Sequence, residues 1–428
     1  MTEASRPRSL RPGRTLWLNA AQLGGAKVVN RGLGFLWSIV LARTLGLSGF
    51  GEYSYLIALV VLTSAFAESG FTSIVSRDVS GDSRHLSETV PTALALTIIF
   101  NIVAAAITVG IGDLSAPSYT RFWRAVLISL YLPANGVFNV VCAVFRGRDR
   151  FRYDSIFNVI HFLSFAALSA PALALGWGAT GVLAAFVVRM YLVAGAAVLV
   201  CHYSIAPLQV GLSRPAARYL LQEGLPLMLS GVAAQVYIRI DIVILSFAMG
   251  TAAVAIYSVA TRFIDALTTA AGALGFASLP LLAEMWLDAP ARARRFAAKT
   301  SRRTLLIGIT GAVLGVAVAP FFIGRLYGRD YTPAGHVLQV LLLVIPIYAV
   351  SQILTNLIIA AGRQRVLMWI YGGAAAVSVL LNVGLAPRWS YYGSAVAAVI
   401  TALMVWLALQ RAAMAMNKAG SARGIPSD

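Results

Sequence analysis

Apolar stretches long enough to form a membrane-crossing helix recur from one end of this chain to the other, and that feature narrows the fold more than any motif. Twelve such segments are read at 15–43, 53–75, 89–111, 122–145, 154–175, 179–201, 219–248, 252–283, 304–323, 334–361, 366–386 and 392–414. About 20 predominantly apolar residues suffice to cross a bilayer as a helix. With 59% hydrophobic residues, 12% charged and a mean hydropathy of +0.79, a soluble globular protein is excluded. The basic start, MTEASRPRSLRPGR, precedes a segment too long for a signal-peptide core and without a small-residue cleavage site. That segment is expected to stay as the first spanning helix. Cys142 and Cys201 both fall in apolar segments and read as packing groups rather than a disulfide framework. The fold class expected is an all-α polytopic membrane protein.

Charge gives the orientation. Of 34 Lys and Arg, 23 fall in the tails and alternate loops of one side, 6 on the other side, and five inside the segments. Cytoplasmic loops carry the excess of Lys and Arg, so both termini are expected in the cytoplasm. The longest connections, 202–218 and 284–303, lie on that side. The second reads EMWLDAPARARRFAAKTSRR, a basic and amphipathic stretch that either lies against anionic lipid at the inner surface or serves as a topology anchor. No loop on the outer side is large enough for a catalytic domain. The formal net charge of +18 is thereby divided between topology and substrate, with nothing pointing to nucleic acid.

The halves echo each other. Gly46, Tyr53 and Ser54 match Gly250, Tyr257 and Ser258 at an offset of 204. Gly147-Arg148-Asp149-Arg150 matches Gly362-Arg363-Gln364-Arg365 at an offset of 215, and Gly181, Ala185 and Val187 match Gly393, Ala397 and Val399 at 212. Three matches in the same order argue for a duplicated six-helix unit. Because six is even, the copies keep one orientation and are expected to be related by a pseudo-twofold along the membrane normal, with a cavity between them. The organisation expected is a cytoplasmic tail at 1–14, lobes at 15–201 and 219–414, a cytoplasmic inter-lobe loop at 202–218, and a second tail at 415–428.

The charges inside the segments are the candidate site. Lys27 and Arg31 stand one turn apart in the middle of the first segment and share a face. Each costs about 2.5–3.5 kcal/mol on insertion scales at a helix centre, so the expectation is a face on a water-filled cavity; snorkelling to the headgroups is the other reading. Glu68 is a candidate partner for either. Arg262 and Asp265, three apart, share a face, and Asp241 against Arg262 is a plausible pair across the seventh and eighth segments. Arg239 is expected to find its partner on another helix. The same group also reads as a structural ion-pair network. Arg189 has no obvious local partner, and His161 reads as a packed, hydrogen-bonded histidine. Five interior cations face Glu68, Asp241 and Asp265, a surplus of two. Surplus cations suit a polyanion, and diphosphate fits best because guanidinium groups grip its oxygens in a fork. Lys27, Arg31, Arg262 and Arg239 are therefore the candidate substrate-binding residues, and Glu68, Asp241 and Asp265 candidate coupling or ion-pairing residues. No phosphate-cradling glycine pattern, metal-ligand cluster or nucleophile triad is visible, so no cofactor and no catalytic residue is assigned.

Six stretches carry a family resemblance: LARTLGLSGFGEYSYLIAL at 41–59, FAESGFTSIVSRDVSG at 66–81, FRGRDRF at 145–151, EGLPLMLSGVAAQVYIRIDIVILSFAMGTAAVAIYSVATRF at 223–263, LYGRDYTPAG at 326–335 and AAGRQR at 360–365. Together they resemble the bacterial polysaccharide flippases, the lipid-linked oligosaccharide exporters of the multidrug/oligosaccharidyl-lipid/polysaccharide superfamily. The resemblance implies a twelve-helix, two-lobed, V-shaped fold working by alternating access in the bacterial cytoplasmic membrane. It further implies a substrate of polyprenyl-diphosphate-linked sugar repeats moved from the inner to the outer leaflet, with no covalent chemistry. Basic residues in the first and eighth helices of such flippases are thought to engage the diphosphate, and Lys27, Arg31 and Arg262 occupy comparable places. Partners implied are the lipid-linked glycan, membrane lipids and other envelope polysaccharide biosynthesis proteins, with the chain acting as a monomer. The alternatives are a cation-coupled multidrug antiporter of the same fold, some of which need a first-helix carboxylate that this chain lacks, and a membrane glycan polymerase or ligase, for which the outer loops are too short. A non-transporting scaffold is a third.

Overall fold

The computed structural model describes residues 12–421 except 69, 82–83, 115–118 and 206; the side chains of 12–31, 67–68, 81, 84–86, 119, 270–277, 280 and 417–421 are also outside the description. The described residues form helices: α1 Pro12–Glu68, α2 Phe71–Gly81, α3 Arg84–Leu114, α4 Tyr119–Ser129, α5 Tyr131–Gly147, α6 Phe151–Ala174 and α7 Gly178–Ser204. Then follow α8 Arg214–Asp288, α9 Pro290–Tyr327, a 3₁₀ turn at Arg329–Tyr331, α10 Thr332–Leu341, α11 Val344–Ala360 and α12 Gln364–Ser421. Eight described helices are long and apolar enough to cross a membrane, and the bent pair α10–α11, at 44°, makes up to nine spans. The twelve sequence segments exceed this number because α1, α8 and α12 each cover two of them.

Each of those three helices is interrupted by one residue with non-helical dihedrals: Gly46 (φ 65°), Gly250 (φ 78°) and Ser390 (φ 53°). At Gly46 and Gly250 glycine fits because it reaches positive φ without the steric cost a Cβ brings. The two stand at the offset of 204, so the first pair of matches is borne out in backbone geometry. Prolines break two more helices at corresponding places. Pro133 and Pro346 cannot donate to the carbonyls four residues back, and the preceding turns tighten, with Leu130 N–H bonding Leu127 O and Leu343 N–H bonding Val340 O, each at 3.3 Å.

The match at an offset of 215 is corrected. α5 closes with Asp149 N–H on Arg146 O and Arg150 N–H on Phe145 O; α11 closes with Gly362 N–H on Ile359 O and Arg363 N–H on Ile358 O. Both are Schellman ends, and the left-handed residues are Asp149 (φ 56°) and Gly362 (φ 70°). Asp149, rather than Gly147, is the counterpart of Gly362, an offset of 213.

Three apolar cores explain the two-lobed shape. The largest combines Leu41, Phe50 and Tyr55 of α1 with Val254 and Tyr257 of α8, Tyr327 of α9 and Ala334 of α10. A second, with Phe71, Val79, Phe145 and Cys201, lies in the first half and takes in Leu220 from the start of α8. The third, with Leu282, Ala293, Leu357 and Met416, lies within the second. The lobes thus share one core around the Arg43–Tyr327 end, and each has its own elsewhere. At the shared end Gly51 of α1 sits against Thr251 of α8, and a Cβ there would lie 3.2 Å from Ala255 N. Gly51 and Ala255 are again 204 apart, as expected of residues beside a twofold axis.

Candidate functional site

Two arms of α8 lie side by side around Gly250. Twenty-six residues of straight helix would separate Arg239 from Asp265 by about 39 Å, yet the Arg239 guanidinium donates to Asp265 Oδ2 at 2.7 Å. Both side chains are about a quarter exposed or less (20% and 28%), so the pair is largely withdrawn from water. Asp241, on the first arm, accepts from the buried Tyr257 hydroxyl at 2.6 Å and from the Ile242 N–H at 2.8 Å. The pairings read from spacing are therefore replaced: Asp265 is engaged by Arg239 and Asp241 by Tyr257, neither by Arg262.

Arg262 is set apart by this arrangement. Among the described residues it forms no salt bridge to a carboxylate, and its buried Nε has no hydrogen-bond partner. Its guanidinium lies 5.3 Å from the centre of the Phe50 ring and interacts with the phenol of Tyr53, both on α1. The neighbouring Phe263 meets Phe35 of α1 edge-on at 4.7 Å. A cation with no carboxylate partner among the described residues thus sits where the two lobes face each other. The substrate-binding candidates Lys27 and Arg31, and the candidate partner Glu68, lie outside the described side chains. Of the two substrate candidates whose side chains are described, Arg239 has its charge matched.

Arg189 finds a partner that spacing did not reveal. It is buried, donates to the His161 carbonyl at 2.7 Å, and lies 4.1 Å from the Phe186 ring centre and 4.9 Å from that of Phe165. Aromatic faces stabilise a desolvated guanidinium, which makes Arg189 a packing element of the first lobe. His161 stacks on Phe138 at 5.9 Å, but its Nδ1 is buried without a partner, so it is packed and not hydrogen-bonded through that atom.

Polar contacts also tie the lobes together. At the shared-core end, Arg43 donates to the carbonyls of Leu326 and Arg325, each at 2.6 Å. Ser38 and Tyr327 share a hydrogen bond at 2.8 Å, and Tyr331 donates to Ala42 O at 3.1 Å. On the same side of the first lobe Arg124 is paired with Glu52. At the opposite end Arg77 bonds Asp78 at 3.1 Å and the Tyr219 hydroxyl at 2.7 Å, with Glu223 at 3.7 Å. These residues escaped notice because they lie near segment ends, where charge is ordinary; only the Tyr53–Tyr257 match in the repeat marked two of the site's neighbours.

Residues 16–286, more than half of the chain, match the family described as polysaccharide biosynthesis protein. The chain belongs to that family. Over 388 residues this polysaccharide biosynthesis protein is 22% identical to a Shigella dysenteriae protein named "Putative O-antigen transporter", covering 86% of this chain and 93% of that one. Its fold is similar to that of a lipid II flippase, MurJ, in an inward closed conformation, with a TM-score of 0.77, 14% identity, and coverage of 90% of this chain and 86% of the flippase. It is also similar to an inward-facing multidrug resistance MATE family transporter of the MOP superfamily, with a TM-score of 0.71, 13% identity, and coverage of 91% and 96%. The motif resemblance is borne out at the level of family, and the polysaccharide biosynthesis protein has the two-lobed transporter fold of these structures.

Proposed function

We propose that this chain is a flippase that moves a polyprenyl-diphosphate-linked oligosaccharide or polysaccharide repeat from the inner to the outer leaflet by alternating access. The observation that carries the reading is Arg262: a half-buried guanidinium with no carboxylate partner among the described residues, placed between the lobes. A buried cation without a counter-charge is costly, and a diphosphate oxygen pair supplies that charge in the geometry a guanidinium fork accepts. Arg31 and Lys27 stand four and eight residues before Phe35 in α1, and Phe35 touches Phe263. Helical spacing therefore assigns them to the strip of α1 that leads away from Arg262, where they would extend the anion site along the cavity. Arg239, Asp265 and Asp241 hold the two arms of α8 in place and so set where Arg262 points. The lobes are taken as 15–201 and 219–414, both termini as cytoplasmic, and the shared core as the outer end. The cavity then opens toward the inner leaflet, where the lipid-linked glycan is made.

The test is export of the glycan in cells that carry the chain as their sole flippase, measured beside its abundance in the membrane. Arg262→Ala is expected to keep normal abundance and lose most export, and Arg262→Lys to keep part of it. Normal export in Arg262→Ala at normal abundance overturns the reading of this residue.

A further inference from the structure

A cleft of about 370 Å³ opens on the flank of the second lobe, lined by α9, α11 and α12 and, among the described residues, by none of α1 or α8. Three helical stripes build it: Ser301, Arg302 and Leu305 on α9, Val350, Leu354 and Leu357 on α11, and Trp406, Gln410 and Ala413 on α12. Spacings of three, four and seven put the α11 and α12 stripes each on one face of its helix, and Ser301 and Arg302 each stand within one turn of Leu305 on α9. The stripes are graded. Arg294 and Arg302 stand toward the start of α9, and apolar side chains follow from Leu305 and along the whole α11 wall.

The polar rim is incompletely satisfied. Arg294 donates one long bond, at 3.3 Å, to the Met416 carbonyl and lies 5.9 Å from the Trp286 ring centre. Ser301 Oγ and Trp406 Nε1 are buried and have no hydrogen-bond partner among the described residues. Indole Nε1 is only a donor and guanidinium has five donors and no acceptor, so Arg294, Arg302 and Trp406 all ask for acceptor oxygens. Among the described residues no carboxylate lines the cleft.

We propose that this cleft binds an anionic phospholipid of the surrounding leaflet, its phosphodiester on Arg294 and Arg302 and one acyl chain along Leu305, Leu354 and Leu357. Charge and shape together select this occupant. A free phosphate would leave the apolar wall empty, and a zwitterionic lipid would bring its own cation to a rim that already holds two. The transported lipid belongs to the face between α1 and α8, which this cleft does not reach. The site goes beyond the transport reading and does not depend on it.

The experiment is native mass spectrometry of the full-length, delipidated protein in detergent, titrated with phosphatidylglycerol or phosphatidylcholine. One phosphatidylglycerol is expected to bind at least tenfold more tightly than phosphatidylcholine. Arg294→Gln with Arg302→Gln is expected to lower that affinity about ten- to hundredfold, since each lost charge-assisted hydrogen bond is worth about that much in part. Ala413→Trp, which fills the cleft without touching charge, is expected to lower it as well. Lys299→Gln with Arg303→Gln removes two cations from the same helix outside the cleft and is expected to leave the affinity unchanged. Equal binding of both lipids, full retention in the Arg294/Arg302 variant, or equal loss in the Lys299/Arg303 variant overturns the proposal. So does displacement by inorganic phosphate at matched concentration, or by a polyprenyl phosphate far better than by phosphatidylglycerol. Lipid binding and glycan export are separate readouts, so the failure of one proposal leaves the other standing.

Discussion

A Cβ placed on Gly51 would overlap the main-chain carbonyl of Thr251, so at this point the two lobes meet backbone to backbone. Gly51→Ala therefore cannot be absorbed by a side-chain rotation; α1 and α8 have to separate. Overpacking of this kind costs about 1–3 kcal/mol, and the whole shared core shifts with it. The expected outcome is a lower melting temperature of the detergent-purified protein, together with altered export, whereas Gly32→Ala, with nothing within 4 Å of its added Cβ, should leave both unchanged.

The pair formed by Arg239 and Asp265 predicts a rescue. Removing one partner of a buried pair costs about 3–5 kcal/mol, and with 20% and 28% exposure here about half that is expected after solvent screening. Asp265→Asn should lower membrane abundance. Exchanging the two, Arg239→Asp with Asp265→Arg, should recover much of it. Equal loss in the single and exchanged variants, on quantitative immunoblots of membranes, would show that the pairing is not what matters.

Ser390 offers a gain. It holds φ 53° and ψ −138°, dihedrals that burden a residue with a Cβ, while Gly178, its counterpart at the offset of 212, reaches φ 57° without that burden. Ser390→Gly is expected to stabilise the protein by about 1 kcal/mol. A thermal melt showing no increase would mean that the break in α12 is held by contacts that Ser390 itself makes.

Orientation is open to a direct check. Arg150 and Asp330 are both exposed and lie on opposite sides by the charge rule, and the two native thiols, Cys142 and Cys201, are buried. An impermeant maleimide is expected to label Asp330→Cys in intact cells, and Arg150→Cys only after permeabilisation. The reverse pattern would invert the molecule and place the shared core on the cytoplasmic side.

The repeat and the charges show where sequence reading succeeds and where it stops. Gly46 and Gly250 were legible because each serves one purpose, a positive φ, and so keeps one residue type. Gly147 and Gly362 share a type for different reasons. Gly362 supplies the left-handed turn, whereas a Cβ on Gly147 would press on Ser76 O at 2.8 Å and Val79 at 3.0 Å. Matching letters therefore slipped the register by two. The charged residues of α8 failed for another reason. Spacing of three residues predicts neighbours along a straight helix, but the break at Gly250 brings residues 26 apart into contact, and those contacts won. The surplus of cations rested on Lys27, Arg31 and Glu68 as well, whose side chains lie outside the description; among the described residues Arg262 has no carboxylate partner.

The contact between the lobes at Arg43 has one more consequence. Removing it in Arg43→Ala should loosen this seam, and a thiol introduced by Ala42→Cys, at a position that is buried, should become more reactive. The partners of Arg43 are main-chain oxygens in the last turn of α9, groups that every helix end leaves without an internal donor. Their availability does not depend on which amino acids occupy 325 and 326. Arg325 and Leu326 are therefore free to drift during evolution while this contact persists, and for it the selective constraint falls on Arg43. A mutational scan of this contact should be lopsided, intolerant at 43 and permissive at 325 and 326.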